Sequence, residues 1–158
     1  MNNCCAVTGS FDPVTIGHVN IVERAKELFD KVYVLMLINP EKNYLFSVEE
    51  RLEMLREVFK SDKKVEVCYF SGYTADFCKD HGIKTLVRGI RNEQDFLYEK
   101  NLAKLNYDYG KLETCFFIAE DEYKNVSSSM IREDLYRDKY WDIVPEIVRA
   151  KVREKFNG

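Results

Sequence analysis

Five short apolar runs alternate with stretches of helical periodicity along the chain, and this alternation limits the fold more than any other feature of the sequence. The runs are CCAVT at 4–8, VYVLMLI at 32–38, VEVCYF at 65–70, TLVRG at 85–89 and TCFFIA at 114–119. Each is nearly continuous rather than alternating with polar residues, the pattern of a strand covered on both faces. Helical patterns follow them. Val22, Ala25 and Phe29 share one face of the first; Val48, Leu52, Leu55 and Phe59 mark the second, which opens on a capping box of Ser47 and Glu50. A shorter helix is predicted over 73–81, stopped at Gly82, and a longer one over 93–107. Two more are predicted over 127–137 and 143–156, the last with Pro145 in its first turn. The expected fold is therefore α/β: a Rossmann-like, doubly wound domain with a five-stranded parallel sheet and helices on both faces. No repeat, low-complexity tract or linker interrupts the pattern, so residues 1–158 are read as a single domain.

Bulk properties narrow the function. A chain of 158 residues buries about 68–70% of its unfolded surface and needs no staples to hold a core. Its 24 Lys and Arg are interspersed with 27 Asp and Glu, for a formal charge of −3, which argues against a nucleic-acid partner and makes any anion site local. Cys4, Cys5, Cys68, Cys78 and Cys115 show no C-x-x-C spacing, and all but Cys78 fall within apolar runs. They read as core thiols of a reducing compartment, with no disulfide or metal framework. The start MNNCCAVTG lacks a basic segment followed by a long apolar one, and no run approaches the ~18 apolar residues of a membrane span. A cytoplasmic protein without a membrane partner is expected.

Three stretches stand where chemistry belongs in an open parallel sheet, at strand carboxyl ends running into helix starts. In the first, AVTGSFDPVTIGH at 6–18, Gly9 permits close backbone approach, Asp12-Pro13 turns the chain, and Gly17-His18 enters a helix whose free N–H groups favour phosphate. His18, beside a positive helix end, has its cation disfavoured yet can still donate to an oxyanion. The plainer reading makes this stretch a corner and His18 a surface residue. In the second, VRGIRNEQDFLYE at 87–99, Arg88 and Arg91 flank Gly89, ahead of a helix carrying Glu99. Two guanidiniums there want an anion, although pairing with Asp95 or Glu93 would serve. In the third, EYKNVSSSMIRE at 122–133, Ser127, Ser128 and Ser129 can cradle phosphate oxygens with Lys124 and Arg132 nearby, or simply cap a helix. Lys42 and Thr74 follow the second and third strands and carry little weight alone. The aromatics at 96, 98, 107 and 109 read as packing or subunit contacts. Together the three stretches favour a nucleotide-phosphate site that works by positioning anions, without a carboxylate dyad or activated serine.

These residues also carry a resemblance. TGSFDPVTIGH resembles the T/H-x-G-H signature of the nucleotidyltransferase superfamily, and its T-x-G-H form is similar to that of the bacterial phosphopantetheine adenylyltransferases. VRGIRNEQDFLYEKNLAKLN and VSSSMIRE resemble that family's R-G-[LI]-R-x-x-x-D-F-x-Y-E and [IV]-S-S-S motifs, in the same order and over the whole chain. The resemblance implies transfer of adenylyl from ATP, with Mg²⁺, to 4′-phosphopantetheine, giving dephospho-coenzyme A and pyrophosphate in the penultimate step of coenzyme A synthesis. It implies that His18 touches the α-phosphate and stabilises the transition state. Ser10 and Phe11 then belong to the ATP loop, with Ser10 also touching the acceptor, and Lys42, Thr74 and Arg88 match acceptor-binding positions. Gly89, Ile90, Arg91 and Glu99 match ATP contacts, while Tyr123, Lys124, Asn125, Val126, Ser127, Ser128 and Ser129 match a loop that closes over the nucleotide. A homohexamer built from two trimers is implied as well. Val7 and Thr8 depart from the aromatic residue and proline usual before the first glycine, and Tyr123 and Asn125 from the usual tryptophan and apolar residue. Another superfamily transferase, acting on nicotinamide mononucleotide or glycerol phosphate, is the nearest alternative, but those more often carry H-x-G-H where this chain has Thr15. A non-catalytic nucleotide-binding module is a third reading, against which stand His18, Lys42, Arg88 and Arg91.

Overall fold

Five parallel strands in the order β3-β2-β1-β4-β5 form the centre of the molecule. They are β1 (Cys4–Gly9), β2 (Lys31–Ile38), β3 (Val65–Ser71), β4 (Thr85–Ile90) and β5 (Glu113–Ile118), each within a residue of the apolar run that predicts it. Helices α1 (Ile16–Leu28), α2 (Val48–Phe59), α3 (Thr74–Asp80), α4 (Glu93–Gly110), α5 (Ser128–Glu133) and α6 (Glu146–Asn157) complete the chain, with a 3₁₀ turn at Asp138–Ile143. The structure is a computed structural model that describes residues 3–133 and 138–157.

Strand residues alternate between two cores, as the two-residue side-chain period requires. Cys5, Val7, Val34, Met36 and Val87 pack with Val22 and Ala25 of α1, Leu52 and Leu55 of α2 and Val148 and Val152 of α6. Ala6, Tyr33, Leu35 and Leu86 face the other way, onto Ala75, Phe77 and Cys78 of α3. Both faces of the central strands are thus covered, the doubly wound arrangement the sequence predicts. At the sheet's edges the expectation of double burial fails: Tyr69 of β3 and Ile118 of β5 are exposed. An apolar run does not distinguish an edge strand from a central one. Of the cysteines predicted in the core, Cys5 is buried, as is Cys78, but Cys4 and Cys68 are half-buried and Cys115, on the edge strand β5, is exposed. Burial pushes the Cys5 and Cys78 thiols up to about 12, so both stay protonated and chemically quiet.

The helix boundaries follow local chemistry. Ser47 and Glu50 form the predicted capping box, and Gly82, at φ +67°, ends the third helix region. The fourth helix runs past the predicted 107 to Gly110, which passes α3 closely: a Cβ there would lie 2.5 Å from Cβ of Ala75. The stop comes one residue later, at Lys111 in the left-handed region. Of the predicted helix 127–137, α5 occupies Ser128–Glu133, and 134–137 lie outside the described residues. The 3₁₀ turn takes residue 143, so the last helix starts at Glu146, after Pro145.

The sheet order places β1 beside β4, the point where the winding reverses and where open α/β sheets bind ligands. Pairing there is short. The β1–β2 ladder runs from Cys4↔Lys31 to Gly9↔Met36, whereas β1 and β4 pair only from Cys5↔Thr85 to Val7↔Val87. Beyond Val7 and Val87 the two strands open into a cleft.

Candidate active site

A cavity of about 320 Å³ lies above the parting of β1 and β4. Its floor is Thr8 to Phe11 with His18; one wall is Arg88, Gly89, Arg91 and Glu99, and the other is Tyr123 and Val126 to Ser129 with Arg132. The three sequence stretches therefore meet in one place. Ile90, Lys124 and Asn125 do not line the cavity, although their chain neighbours do. Lys42 and Thr74 also lie outside it, after β2 and at the first residue of α3 on the same carboxyl edge of the sheet.

His18 is held by the start of its own helix. Thr15 is the N-cap of α1: its hydroxyl accepts from the His18 N–H at 3.4 Å, and its own N–H donates to Nδ1 of His18 at 2.9 Å. Nδ1 must then be an acceptor, so the neutral ring carries its proton on Nε2. Phe11 packs edge-on against the ring, centroids 4.8 Å apart. Burial first, then Arg88 and Arg91, bring the imidazole down from the ordinary 6.5 to about 4. At neutral pH the cleft therefore contains an uncharged N–H donor of fixed tautomer.

Arg88 is the most constrained of the cations. Its Nε and Nη2 donate to the two carboxylate oxygens of Glu99 at 2.9 and 2.6 Å, a bidentate pair with Glu99 buried. Its Nη1 donates to the Thr8 carbonyl and, at 3.2 Å, to the Thr8 hydroxyl. The guanidinium thus spans the gap where the β1–β4 ladder stops. The anion foreseen for Arg88 includes a carboxylate of the protein itself, Glu99, eleven residues on. Arg91 pairs with Asp95 at 2.9 Å, one of the pairings foreseen, and donates to the Val126 carbonyl at 3.2 Å, drawing the turn after β5 toward β4.

The serine triplet splits in its duties. Ser128 Oγ donates to the Pro13 carbonyl at 2.7 Å, fastening α5 to the loop after β1. Arg132 donates from Nη1 to the Asp12 carbonyl and from Nη2 to Ser129 Oγ, both at 3.0 Å. Close packing at Gly17, where a Cβ would lie 3.4 Å from Val126, completes the junction.

Two functional supports escaped the sequence reading. Asp12 looks like a turn residue, yet it is buried and its carboxylate accepts the Leu45 and Phe46 amides at 2.9 Å each. Arg51 is buried and donates to the Ser10 carbonyl at 3.0 Å. A signal for Arg51 was present: it occupies the apolar face of α2 that Val48, Leu52 and Leu55 define, where a charge requires an explanation.

Among the described residues no group of three or more His, Cys, Asp or Glu could hold a metal ion, and no helix is long and apolar enough to cross a membrane. Of the three carboxylates that line the cleft, Asp95 and Glu99 are bound to arginines and Asp12 accepts the Leu45 and Phe46 amides. What the site offers is a cluster of N–H donors and cations around a cavity beside the N-terminus of α1, where the helix dipole favours an anion.

Comparison with known proteins agrees with this chemistry. A family model described as Cytidylyltransferase-like matches residues 6–134. A phosphopantetheine adenylyltransferase from Symbiobacterium thermophilum is 45% identical over 94% of this chain and 93% of its own length. Enzymes of the same name from Thermotoga neapolitana and Clostridium botulinum are 42% and 40% identical, over 90% and 94% of the chain. In fold the chain is similar to a bifunctional NMN adenylyltransferase/ADP ribose pyrophosphatase from Francisella tularensis, with a TM-score of 0.71 at 15% identity; it is covered completely but spans about half (51%) of that longer protein. With Thr15, Gly17 and His18, the Arg88-Gly89 pair with Arg91, and Ser127 to Ser129 lining one cleft in a fold of this kind, the chain is a nucleotidyltransferase and belongs to the phosphopantetheine adenylyltransferase family.

Proposed function

We propose that the chain transfers adenylyl from ATP to 4′-phosphopantetheine, forming dephospho-coenzyme A and releasing pyrophosphate. The observation that carries this reading is the convergence of the His18 Nε2–H, Arg88 and Arg91 on one cleft between β1 and β4. An oxygen of the pantetheine phosphate attacks the α-phosphorus of ATP; a bond forms there as the bond to the β-phosphate bridging oxygen breaks and pyrophosphate leaves. The nucleophile is already an anion, so no general base is required. Alignment and relief of repulsion between two polyanions are the demands, and positioned donors meet them.

In this reading His18 donates from Nε2 to the α-phosphate as charge builds on it. Ser10, Lys42, Thr74 and Arg88 take the acceptor. Ser10, Phe11, Gly89, Ile90, Arg91 and Glu99 hold ATP, with Tyr123 to Ser129 closing over it. Mg²⁺ would arrive with ATP and offset phosphate charge, since Asp95 and Glu99 are engaged by arginines and Asp12 by the Leu45 and Phe46 amides. The exposed apolar residues Phe96, Leu97, Tyr98, Leu105 and Tyr109 along α4 support assembly as a homohexamer, and a cytoplasmic location completes the proposal.

Pyrophosphate release should be followed with MgATP and 4′-phosphopantetheine, and in parallel with MgATP and nicotinamide mononucleotide or MgCTP and glycerol phosphate. Turnover is expected only with the pantetheine acceptor. Preferred use of nicotinamide mononucleotide would overturn the substrate assignment.

A further inference from the structure

Arg51 is 1% exposed and is the largest fully buried side chain among the described residues, where no carboxylate lies within ion-pair distance of it. A buried cation without a counter-ion is costly, so what receives it matters. Its Nη1 donates to the Ser10 carbonyl at 3.0 Å, its Nε to the Ser47 carbonyl at 3.4 Å, and its guanidinium lies 3.9 Å from the centre of the Tyr44 ring. Tyr44 is fixed in turn, its hydroxyl accepting the Asn39 N–H at 3.0 Å. Asn39 opens a tight turn, taking the Lys42 N–H on its carbonyl at 3.1 Å and the Glu41 N–H on its side chain at 3.0 Å. On the far flank, both oxygens of Asp12 hold Leu45 and Phe46. The loop between β2 and α2 is therefore fastened to the loop after β1 by a buried cation and a buried carboxylate, and its exposed tip is Lys42.

The geometry points to Arg51, Tyr44 and Asp12 as positioning residues for Lys42: they tie its turn to the Ser10 loop, so that the ammonium at 42 and the hydroxyl at 10 move as one unit. This inference rests on the adenylyl-transfer reading, in which the acceptor phosphate meets both residues. Tyr44 is the link of choice for a test, because truncating Arg51 or Asp12 would open the core.

The experiment compares Tyr44→Leu, Tyr44→Phe, Lys42→Ala and the double variant Lys42→Ala/Tyr44→Leu in the full chain, measuring KM for each substrate and kcat. Loss of a desolvated cation–π contact sets the scale, so Tyr44→Leu should raise the 4′-phosphopantetheine KM about 5- to 20-fold with the ATP KM within about 2-fold. Tyr44→Phe, which keeps the ring beneath the guanidinium, should fall between this and the unchanged chain. In the double variant the effects should not multiply, because Tyr44 acts through Lys42. Multiplied effects, equal rises in both KM values, or an unchanged acceptor KM in Lys42→Ala would overturn the proposal. A fall in kcat alone would also overturn it, since that is the signature of lost folded protein. Amide exchange at residues 41–43 gives a readout that does not depend on turnover and should accelerate about tenfold or more in Tyr44→Leu, the effect of losing a local constraint worth about 1.4 kcal/mol. Unchanged exchange there refutes the clamp. An unaltered chain that shows no adenylyl transfer refutes the parent reading instead.

Discussion

The Thr15 N–H donates to Nδ1 of His18 across 2.9 Å, and that single bond decides which ring nitrogen carries the proton. A capping box, ordinarily a device for starting a helix, here also sets a tautomer. Because the first turn of α1 positions it, the imidazole needs no carboxylate partner to stay oriented.

His18→Ala removes the Nε2 donor and leaves the surrounding cations in place. Turnover should fall about 10²- to 10³-fold, the scale for one lost oxyanion donor, with ATP affinity changed little. Single-turnover kinetics with equilibrium ATP binding provide the check; a rate within tenfold of the unaltered chain would dismiss the role.

The imidazole's low pKa makes a claim about stability and its sign. Between about 4 and 6.5 an unfolded chain binds a proton at residue 18 that the folded chain does not, so folding loses stability as pH falls through that window. Above 6.5 the group contributes no slope. Denaturant unfolding at pH 7.5 and 4.5 should show a larger acid loss for the unaltered chain than for His18→Gln, which has nothing to titrate there; equal losses would contradict the shift.

Glu99→Gln leaves Arg88 without its carboxylate. Breaking a fully buried pair costs about 3–5 kcal/mol, and with the Arg88 side chain 26% exposed the loss should be nearer 2–3 kcal/mol. Because the released guanidinium no longer stays in the gap, the acceptor KM should rise as well. Arg88→Ala should chiefly impair acceptor use. Unfolding and initial-rate measurements on both variants would read these effects separately.

Gly110→Ala should destabilise the fold by about 1–3 kcal/mol, since its new methyl group meets Ala75 at a distance no pair of carbons tolerates and α3 must shift. Thermal unfolding tests this, and Ala75→Gly in the same chain should restore part of the loss.

Much of this architecture was legible because its causes are local. Apolar runs bounded by turns located every strand, and Ser47 with Glu50 marked a helix start. T-I-G-H, R-G-I-R and S-S-S could be placed at strand ends because loops of a parallel sheet have few places to go. What stayed hidden depends on pairs far apart in the chain. Thr8 meets Arg88 across eighty residues, and Arg51 meets Ser10 across forty-one. No spacing within one motif reports such a contact. Edge exposure was illegible for the same reason: Cys115 sits in an apolar run, yet whether β5 has a neighbour on its far side depends on the order of the strands. The end of α4 was placed three residues early because nothing in the local sequence shows that Gly110 admits a crossing helix.

The early parting of β1 and β4 has one more consequence. Where peptide groups would otherwise zip the two strands together, a side chain stands in, and Thr8 is answered by the guanidinium of residue 88 instead of by main chain. The aperture between the two strands is therefore propped by a replaceable strut, so its width is open to change by a single codon while the rest of the sheet stays as it is.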